Sequence, residues 1–208
     1  MSIRSYLMAK FYDATMRKME AACLSGWRSE LLADVRGDVL EIGSGTGANL
    51  PYYPRSVNRL VLSEPDRHML VLLRETIDGA WARNCTAVRS SADRLDFPDQ
   101  SFDAVVSTLV LCSVDSPQAT LSEIKRVLAP GGKFYFIEHV LAKDAPHLMK
   151  WQKLAQPFWV YLGGNCHPTR DTEQSISNAG FRFEMIEKLS ASGAPSIVSP
   201  IIKGIAKA

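Results

Sequence analysis

Several kinds of signal are scarce in this chain of 208 residues. It has only four cysteines, Cys23, Cys85, Cys112 and Cys166, far apart and without a C-x-x-C pair. Such spacing fits neither a zinc site nor a disulfide framework, so no metal is expected and the thiols are expected reduced, in the cytoplasm. No apolar run approaches the ~18 residues needed to cross a bilayer. Arg4 and Lys10 interrupt the N-terminal stretch, so no signal peptide is expected either. The net charge is only +2 and no Lys/Arg run tracks a phosphate backbone, which argues against a nucleic-acid partner. Internal repeats and low-complexity linkers are missing too. What remains is ordinary globular composition, 46% hydrophobic, at a length that suits one domain over 1–208 with a sizeable core.

The chain is organised around Val39-Leu40-Glu41-Ile42-Gly43-Ser44-Gly45-Thr46-Gly47-Ala48-Asn49. An apolar strand runs into three alternate glycines, residues that permit positive φ and let a ligand touch the backbone. Amides at the start of a following helix favour a carboxylate or phosphate. Glu41 adds a fixed negative charge that a pyrophosphate would not want. It suits a ligand with both a cationic amino group and a carboxylate, and the methionyl end of S-adenosylmethionine has both. Glu64, followed by Pro65, ends a second short strand about 20 residues on, where an acidic residue accepts the ribose hydroxyls in α/β nucleotide folds.

Before the glycine loop, residues 3–34 read as helix. Ile3, Leu7, Phe11, Ala14, Met16 and Met19 form its apolar stripe, and Gly26 separates a second helix over Trp27–Val35. This 1–36 segment docks on the core or forms a lid over the cofactor, with Tyr6, Phe11 or Tyr12 closing the site. Its basic residues leave room for peripheral contact with an anionic membrane surface. From Gly37 strands alternate with helices, as in parallel βαβ units. The strands are Asp38–Ile42, Arg59–Ser63, Thr86–Arg89, Phe102–Thr108 and Lys133–Val140. One helix runs from Asp66 to Ile77, with Asp66 as N-cap and Met69, Leu70, Leu72 and Leu73 facing inward. Another, Pro117–Leu128, is stopped by Pro130-Gly131-Gly132. Further on, Leu148–Leu162 reads as a helix kinked at Pro157. Thr169 or Thr172 caps a helix ending at Gly180, and Phe181–Leu189 and Ile197–Ala206 read as the last strands.

Glu41–Gly47, Glu64, Ala92-Asp93…Phe97-Pro98…Ser101-Phe102-Asp103 and Arg126-Val127-Leu128…Pro130-Gly131-Gly132 together resemble class I S-adenosylmethionine-dependent methyltransferases. The branch resembled is the small-molecule one that includes quinone C-methyltransferases. Gly47-Ala48-Asn49…Tyr53-Pro54, Thr108–Val114, Phe134–Val140, Trp151-Gln152…Pro157…Trp159 and Thr169-Arg170 are similar to the methyltransferase-like thiol S-methyltransferases. The resemblance implies a Rossmann-like, doubly wound seven-stranded sheet of order 3-2-1-4-5-7-6 with strand seven antiparallel. It implies that Gly43, Gly45 and Gly47, with Ser44, Asn49 and Met69 nearby, line the methionine end of S-adenosylmethionine. Glu64 and Pro65 would lie at the ribose, Ala92 and Asp93 at the adenine, and Thr108 and Leu109 near the sulfonium. Whether Ser91 or Asp93 meets the adenine amino group stays open. Animal members of the thiol family carry an N-terminal membrane anchor, and that location is not carried over.

The reaction so implied is methyl transfer to a small, apolar acceptor, with thiols, quinones and lipid amines all candidates. Nucleophilic displacement at a sulfonium needs positioning more than a catalytic nucleophile on the protein. A base would help a thiol acceptor, and His139, at the C-terminal end of the fifth strand, is the candidate catalytic residue. The segments Leu109–Val114 and His139–Ala142 are expected to border the acceptor, walled by Trp151, Phe158, Trp159, Tyr6 and Tyr12. A nicotinamide oxidoreductase and a non-catalytic cofactor-binding protein are the alternatives of other classes.

Overall fold

The computed structural model describes residues 3–80 and 84–208. Seven strands form one sheet: β1 (Gly37–Ile42), β2 (Val57–Ser63), β3 (Cys85–Val88), β4 (Phe102–Thr108), β5 (Leu128–His139), β6 (Arg182–Ser190) and β7 (Pro200–Lys207). Their order is β3-β2-β1-β4-β5-β7-β6, with β7 antiparallel to both neighbours and the pairs among the first five strands parallel. This is the expected topology.

Alternation along the strands explains why they read as almost continuous apolar runs. Val39, Leu60, Leu62, Val106 and Ile137 enter one core layer, and Leu40, Ile42, Val61, Val105 and Phe136 the other. Both faces are covered, as parallel sheets require. The first layer packs under α1 (Ile3–Met19), α2 (Ser25–Leu32) and α3 (Arg67–Ala80); the second takes α4 (Pro117–Val127) and α6 (Thr172–Asn178). α5 (Pro146–Leu162) packs against the Ser196–Val198 turn, and its Gln152 bonds Val140 and Ala142 just past β5. No described helix is long and apolar enough to cross a membrane.

Register aligns the strand ends. Ile42 sits beside Ser63 and Ser107, and Thr108 beside Ile137, so the glycine loop, Glu64, Leu109 and His139 all leave the sheet at one edge. That edge is where open α/β sheets gather ligands.

Several boundaries differ from expectation. Gly26 does not break the N-terminal helix: it lies inside α2, and the irregularity is a π-helical turn at Glu20–Leu24 that joins α1 to α2. A helical glycine costs only about 1 kcal/mol against alanine, less than the packing around it supplies. The side chains of Ile3 and Arg4 lie outside those described. Asp66 caps α3 as expected, accepting from the amides of His68 and Met69 at 2.8 and 3.1 Å, but Leu72 is half-buried rather than inward. Pro130-Gly131-Gly132 does not stand between helix and strand. β5 begins at Leu128, and these residues loop out as a bulge while the register moves from Phe102↔Leu128 to Ala104↔Lys133. The cap of α6 is Asp171, whose side chain accepts from the Gln174 amide, not Thr169 or Thr172. Part of the expected last strand is a 3-10 turn, Ser196–Val198.

Candidate active site

A cavity of about 820 Å³ opens at the shared strand edge. Its floor starts in the glycine loop. Gly43 has φ +57°, and a Cβ there would lie 2.6 Å from Val110 Cγ2, so the close approach of the β4 loop requires glycine. Gly45 shares that φ, but its Cβ position faces open space. The backbone is bare there, which is what a ligand resting on the loop needs.

Glu64 is fixed rather than free. Its Oε2 accepts from the Gly45 amide and its Oε1 from the Asp66 amide, both at 2.9 Å, and burial pushes its pKa up. Each oxygen keeps a second lone pair, so the carboxylate can still accept from a diol. Ser91, Ala92 and Asp93 follow along the wall, with the Thr120 hydroxyl donating to Asp93 Oδ1. Gly43, Glu64, Pro65, Met69, Ala92, Asp93, Leu109 and His139 all border the cavity.

Glu41, Ser44, Gly45, Gly47, Asn49 and Thr108 are not among the cavity's lining residues. Glu41 lies beneath the loop and accepts from the Tyr53 hydroxyl at 2.5 Å; burial pushes its pKa up to about 7. Asn49 is the middle of a buried chain. Arg28 donates to Asn49 Oδ1 at 2.5 Å, and Asn49 Nδ2 donates to Thr108 Oγ1 at 3.1 Å. Arg28 also pairs with Glu20 at 2.8 Å. In the sequence Arg28 sits among polar helix residues and carried no signal of this role.

α1 supplies one long wall, through Ser5, Met8, Tyr12, Thr15, Met16 and Met19. Those positions share a helical face. The helix is fastened to the site, since Thr46 Oγ1 donates to Asp13 Oδ1 at 2.7 Å and the Ser5 hydroxyl donates to Asp66. Burial pushes the Tyr12 hydroxyl up to about 12. Of the three aromatics expected to close the site only Tyr12 lines it; Tyr6 and Phe11 point outward, 49% and 52% exposed. The same correction applies to α5. Trp159 lines the cavity, but Trp151 and Phe158 are 61% and 74% exposed, because the inward face of α5 is set by buried Gln152. Gln152 accepts from Ala142 N and donates to the carbonyls of Val140 and Ile197.

The far end of the cavity is built by two loops locked together. Leu109 adopts φ +61°, held by its amide on Ile137 O, while Val110 N donates to Glu138 Oε1 at 3.1 Å. Non-glycine residues persist in that conformation only when surroundings over-determine them, commonly at functional sites. Arg170 donates to the carbonyls of Leu111 and Val114, both at 2.6 Å. Asn165 Nδ2 donates to Ser113 O at 2.7 Å, and the His167 amide to Cys112 O at 2.8 Å. These bonds bring together three residues the sequence keeps apart. His139 Nδ1 lies 3.7 Å from Cys112 Sγ and 3.5 Å from Cys166 Sγ, all three residues buried. The hydrogen bond between the thiols, with burial, pushes Cys112 well up, and it pushes Cys166 down. Although the cysteines are scattered in the sequence, loop closure brings two of them together, each 27 positions from His139.

Residues 40–136 match the model of a methyltransferase domain. The thiol S-methyltransferase TMT1B of Homo sapiens is 35% identical over 88% of this chain and 77% of its own length. A phosphatidylethanolamine N-methyltransferase of Cereibacter sphaeroides is 32% identical over 77% and 78%. A solved S-adenosylmethionine-dependent methyltransferase from Thermotoga maritima superposes over both whole chains, with a TM-score of 0.70 at 21% identity. The chain belongs to the S-adenosylmethionine-dependent methyltransferases. Its cofactor is S-adenosylmethionine, and the bare backbone at Gly45, the fixed Glu64 carboxylate and the volume of the cavity fit that molecule.

Proposed function

We propose that this enzyme methylates the sulfur of a small, apolar thiol. The observation that carries the reading is the far end of the cavity, where Trp159, Leu162 and Val198 form an apolar wall around His139 and two cysteine sulfurs. Similarity to a thiol S-methyltransferase supports the same acceptor. When bound, S-adenosylmethionine supplies a methyl group activated on a sulfonium. In this reading the backbone around Gly43, Ser44, Gly45 and Gly47 holds the methionine part, with Glu41, Asn49 and Met69 supporting it from below and beside. Glu64 and Pro65 hold the ribose, Ala92 with Asp93 or Ser91 the adenine, and Thr108 and Leu109 border the sulfonium. Residues 1–36 act as the lid, through Tyr12 and the methionines of α1. His139 meets the acceptor.

Excluding water from this end strengthens attraction between an anionic nucleophile and a sulfonium. Four cysteines in the free state suit action in the reducing cytoplasm. The exposed apolar faces of α1 and α5 flank the cavity, and we assign them to peripheral contact with an anionic membrane, the phase in which apolar acceptors concentrate.

The test is a methyl-transfer screen of the full chain against alkyl thiols, quinols and amines. Alkyl thiols are expected to be methylated, and His139→Ala to lower turnover while sparing S-adenosylmethionine affinity. Methylation of a quinol or an amine with no thiol accepted would leave the methyltransferase and remove the thiol.

A further inference from the structure

We propose that Cys112, His139 and Cys166 form a three-ligand site for a thiophilic divalent metal such as Zn²⁺, whose fourth position faces the cavity and takes the acceptor thiol. The inference rests on the thiol reading for the identity of that fourth ligand, though not for the metal site itself.

Geometry comes first. Sulfurs about 2.3 Å and a ring nitrogen about 2.0–2.1 Å from a tetrahedral centre lie roughly 3.5–3.8 Å from one another. The Nδ1–Sγ separations here are 3.5 and 3.7 Å, and all three ligand atoms lie within 4.8 Å of one another. Nδ1 has either one proton or one lone pair and so pairs with only one of the two thiols that face it; Cys112 Sγ otherwise has the Leu109 carbonyl and the Ser113 hydroxyl, both at 3.5 Å. A single ion ligates both sulfurs and the ring nitrogen at once.

The scaffold is already assembled. Cys112 follows β4, His139 ends β5 and Cys166 follows α5, so three separate elements converge without a local sequence motif. Arg170 and Asn165 hold the Cys112 turn, and the Thr172 hydroxyl holds the His139 carbonyl at 3.2 Å. On metal binding the S–H bonds of Cys112 and Cys166 break and their protons leave through the cavity, and the two resulting thiolates balance a divalent charge, which limits the cost of burying the ion. Thiolate and imidazole donors select borderline and soft metals over Mg²⁺ or Ca²⁺.

All three residues border the cavity, so the site is open on the side where an acceptor enters. Three protein ligands with one open position is the pattern of a catalytic rather than a structural zinc. On coordination the acceptor sulfur donates a lone pair to the metal, its S–H bond breaks, and the proton leaves to solvent through the cavity. No oxidant or reductant is involved. The site thus presents the acceptor as a thiolate at neutral pH, where a free thiol is mostly protonated.

The test uses the full chain, reduced, stripped with chelator and titrated anaerobically with Co²⁺ as the probe for Zn²⁺. One Co²⁺ per chain is expected, with a thiolate-to-metal charge-transfer band and the visible spectrum of a tetrahedral site. Cys112→Ser and Cys166→Ser should each weaken the band, the double variant should lose it, and each should bind more weakly by more than the roughly 100-fold typical of losing an outer-shell partner. Cys23→Ser should keep it. Unchanged S-adenosylmethionine affinity in the serine variants shows that they are folded. An alkyl thiol added to the Co²⁺ form should shift the spectrum. Failure of the wild type to bind stoichiometric Co²⁺, or equal binding by the Cys112→Ser/Cys166→Ser variant, overturns the metal site. Full thiol methylation by chelator-stripped protein likewise overturns the metal's role while leaving the thiol acceptor intact. A Co²⁺ site whose spectrum ignores thiols, in an enzyme that methylates none, overturns the fourth-ligand assignment together with the thiol reading.

Discussion

Glu41 is a carboxyl group placed where water does not reach. Burial outweighs the Tyr53 hydrogen bond and the Arg28 charge and lifts its pKa from 4.5 to about 7. A folded pKa above the unfolded one means that the native state holds its proton more tightly. Its contribution to stability is complete below pH ~4.5 and is lost as pH rises through about 7. Glu41→Gln keeps an acceptor for Tyr53 but does not titrate. The stability of the variant relative to wild type, from urea melts, should therefore rise between pH ~4.5 and 7 and level off above. A difference that stays flat across this window would show that Glu41 does not titrate there. Gly45 makes a different point. Valine at φ +57° costs about 1–2 kcal/mol of strain and fills the bare approach to the loop. Gly45→Val is expected to fold, by far-UV circular dichroism, and to lose measurable S-adenosylmethionine binding in calorimetry. The prominence of the glycines and Glu64 in the sequence has a physical cause: each belongs to a short segment whose spacing already fixes its place, whereas Asp93 came from the resemblance. Arg28 and the Cys112–His139–Cys166 cluster had no such mark, because only tertiary closure gives them partners.

Elements were easier to read where both faces of a strand are buried. Leu60–Leu62, Ala104–Val106 and Phe134–Ile137 are unbroken apolar runs, as strands covered on both faces are. The order of β7 and β6 and the antiparallel run of β7 could not be read from such runs; they came from the resemblance. The facing of α5 is hidden in the sequence for an equally physical reason. Its aromatics suggested a pocket wall, but a single buried glutamine decides which side turns inward. Gln152 satisfies one amide and two carbonyls at the end of β5 and in the 3-10 turn. Gln152→Ala should leave these groups unpaired, at about 1–3 kcal/mol each before relaxation. A fall in Tm of roughly 5–15 °C is expected for a chain of this size. Because α5 carries Trp159 to the acceptor end, KM for the acceptor should rise while S-adenosylmethionine affinity is kept. Equal loss of both would mean that α5 supports the whole cavity, not its far end.

At the scale of the molecule, eight of the nine large hydrophobic side chains exposed among the described residues lie on two helices. Tyr6, Leu7 and Phe11 are on α1, and Trp151, Leu154, Phe158 and Leu162 are among those on α5. Both helices also line the cavity, and a Cβ at Gly164, just after α5, would come within 3.3 Å of Met8 on α1. Exposed apolar side chains thus stand on both helices that carry cavity-lining residues. Exposed apolar area concentrated in this manner marks an interaction site rather than ordinary surface. The basic residues beside it suit the anionic surface proposed above. Lys150 and Lys153 are the only formally charged residues of α5, and Lys10, Arg17 and Lys18 stand exposed on α1. An anionic lipid surface satisfies both the aromatic and the basic groups, the aromatics entering the headgroup boundary and the lysines meeting the lipid phosphates. Sedimentation with phosphatidylserine-containing vesicles should pull the protein down, and neutral phosphatidylcholine vesicles or high salt should release it. Each basic residue near such a surface contributes about 1 kcal/mol, so Lys150→Glu/Lys153→Glu should weaken binding at least about tenfold. Trp151→Ser/Phe158→Ser should weaken it as well, with methylation of a water-soluble thiol unchanged, since neither side chain borders the cavity. Vesicle binding that ignores lipid charge and survives both double variants would place the contact elsewhere on the molecule.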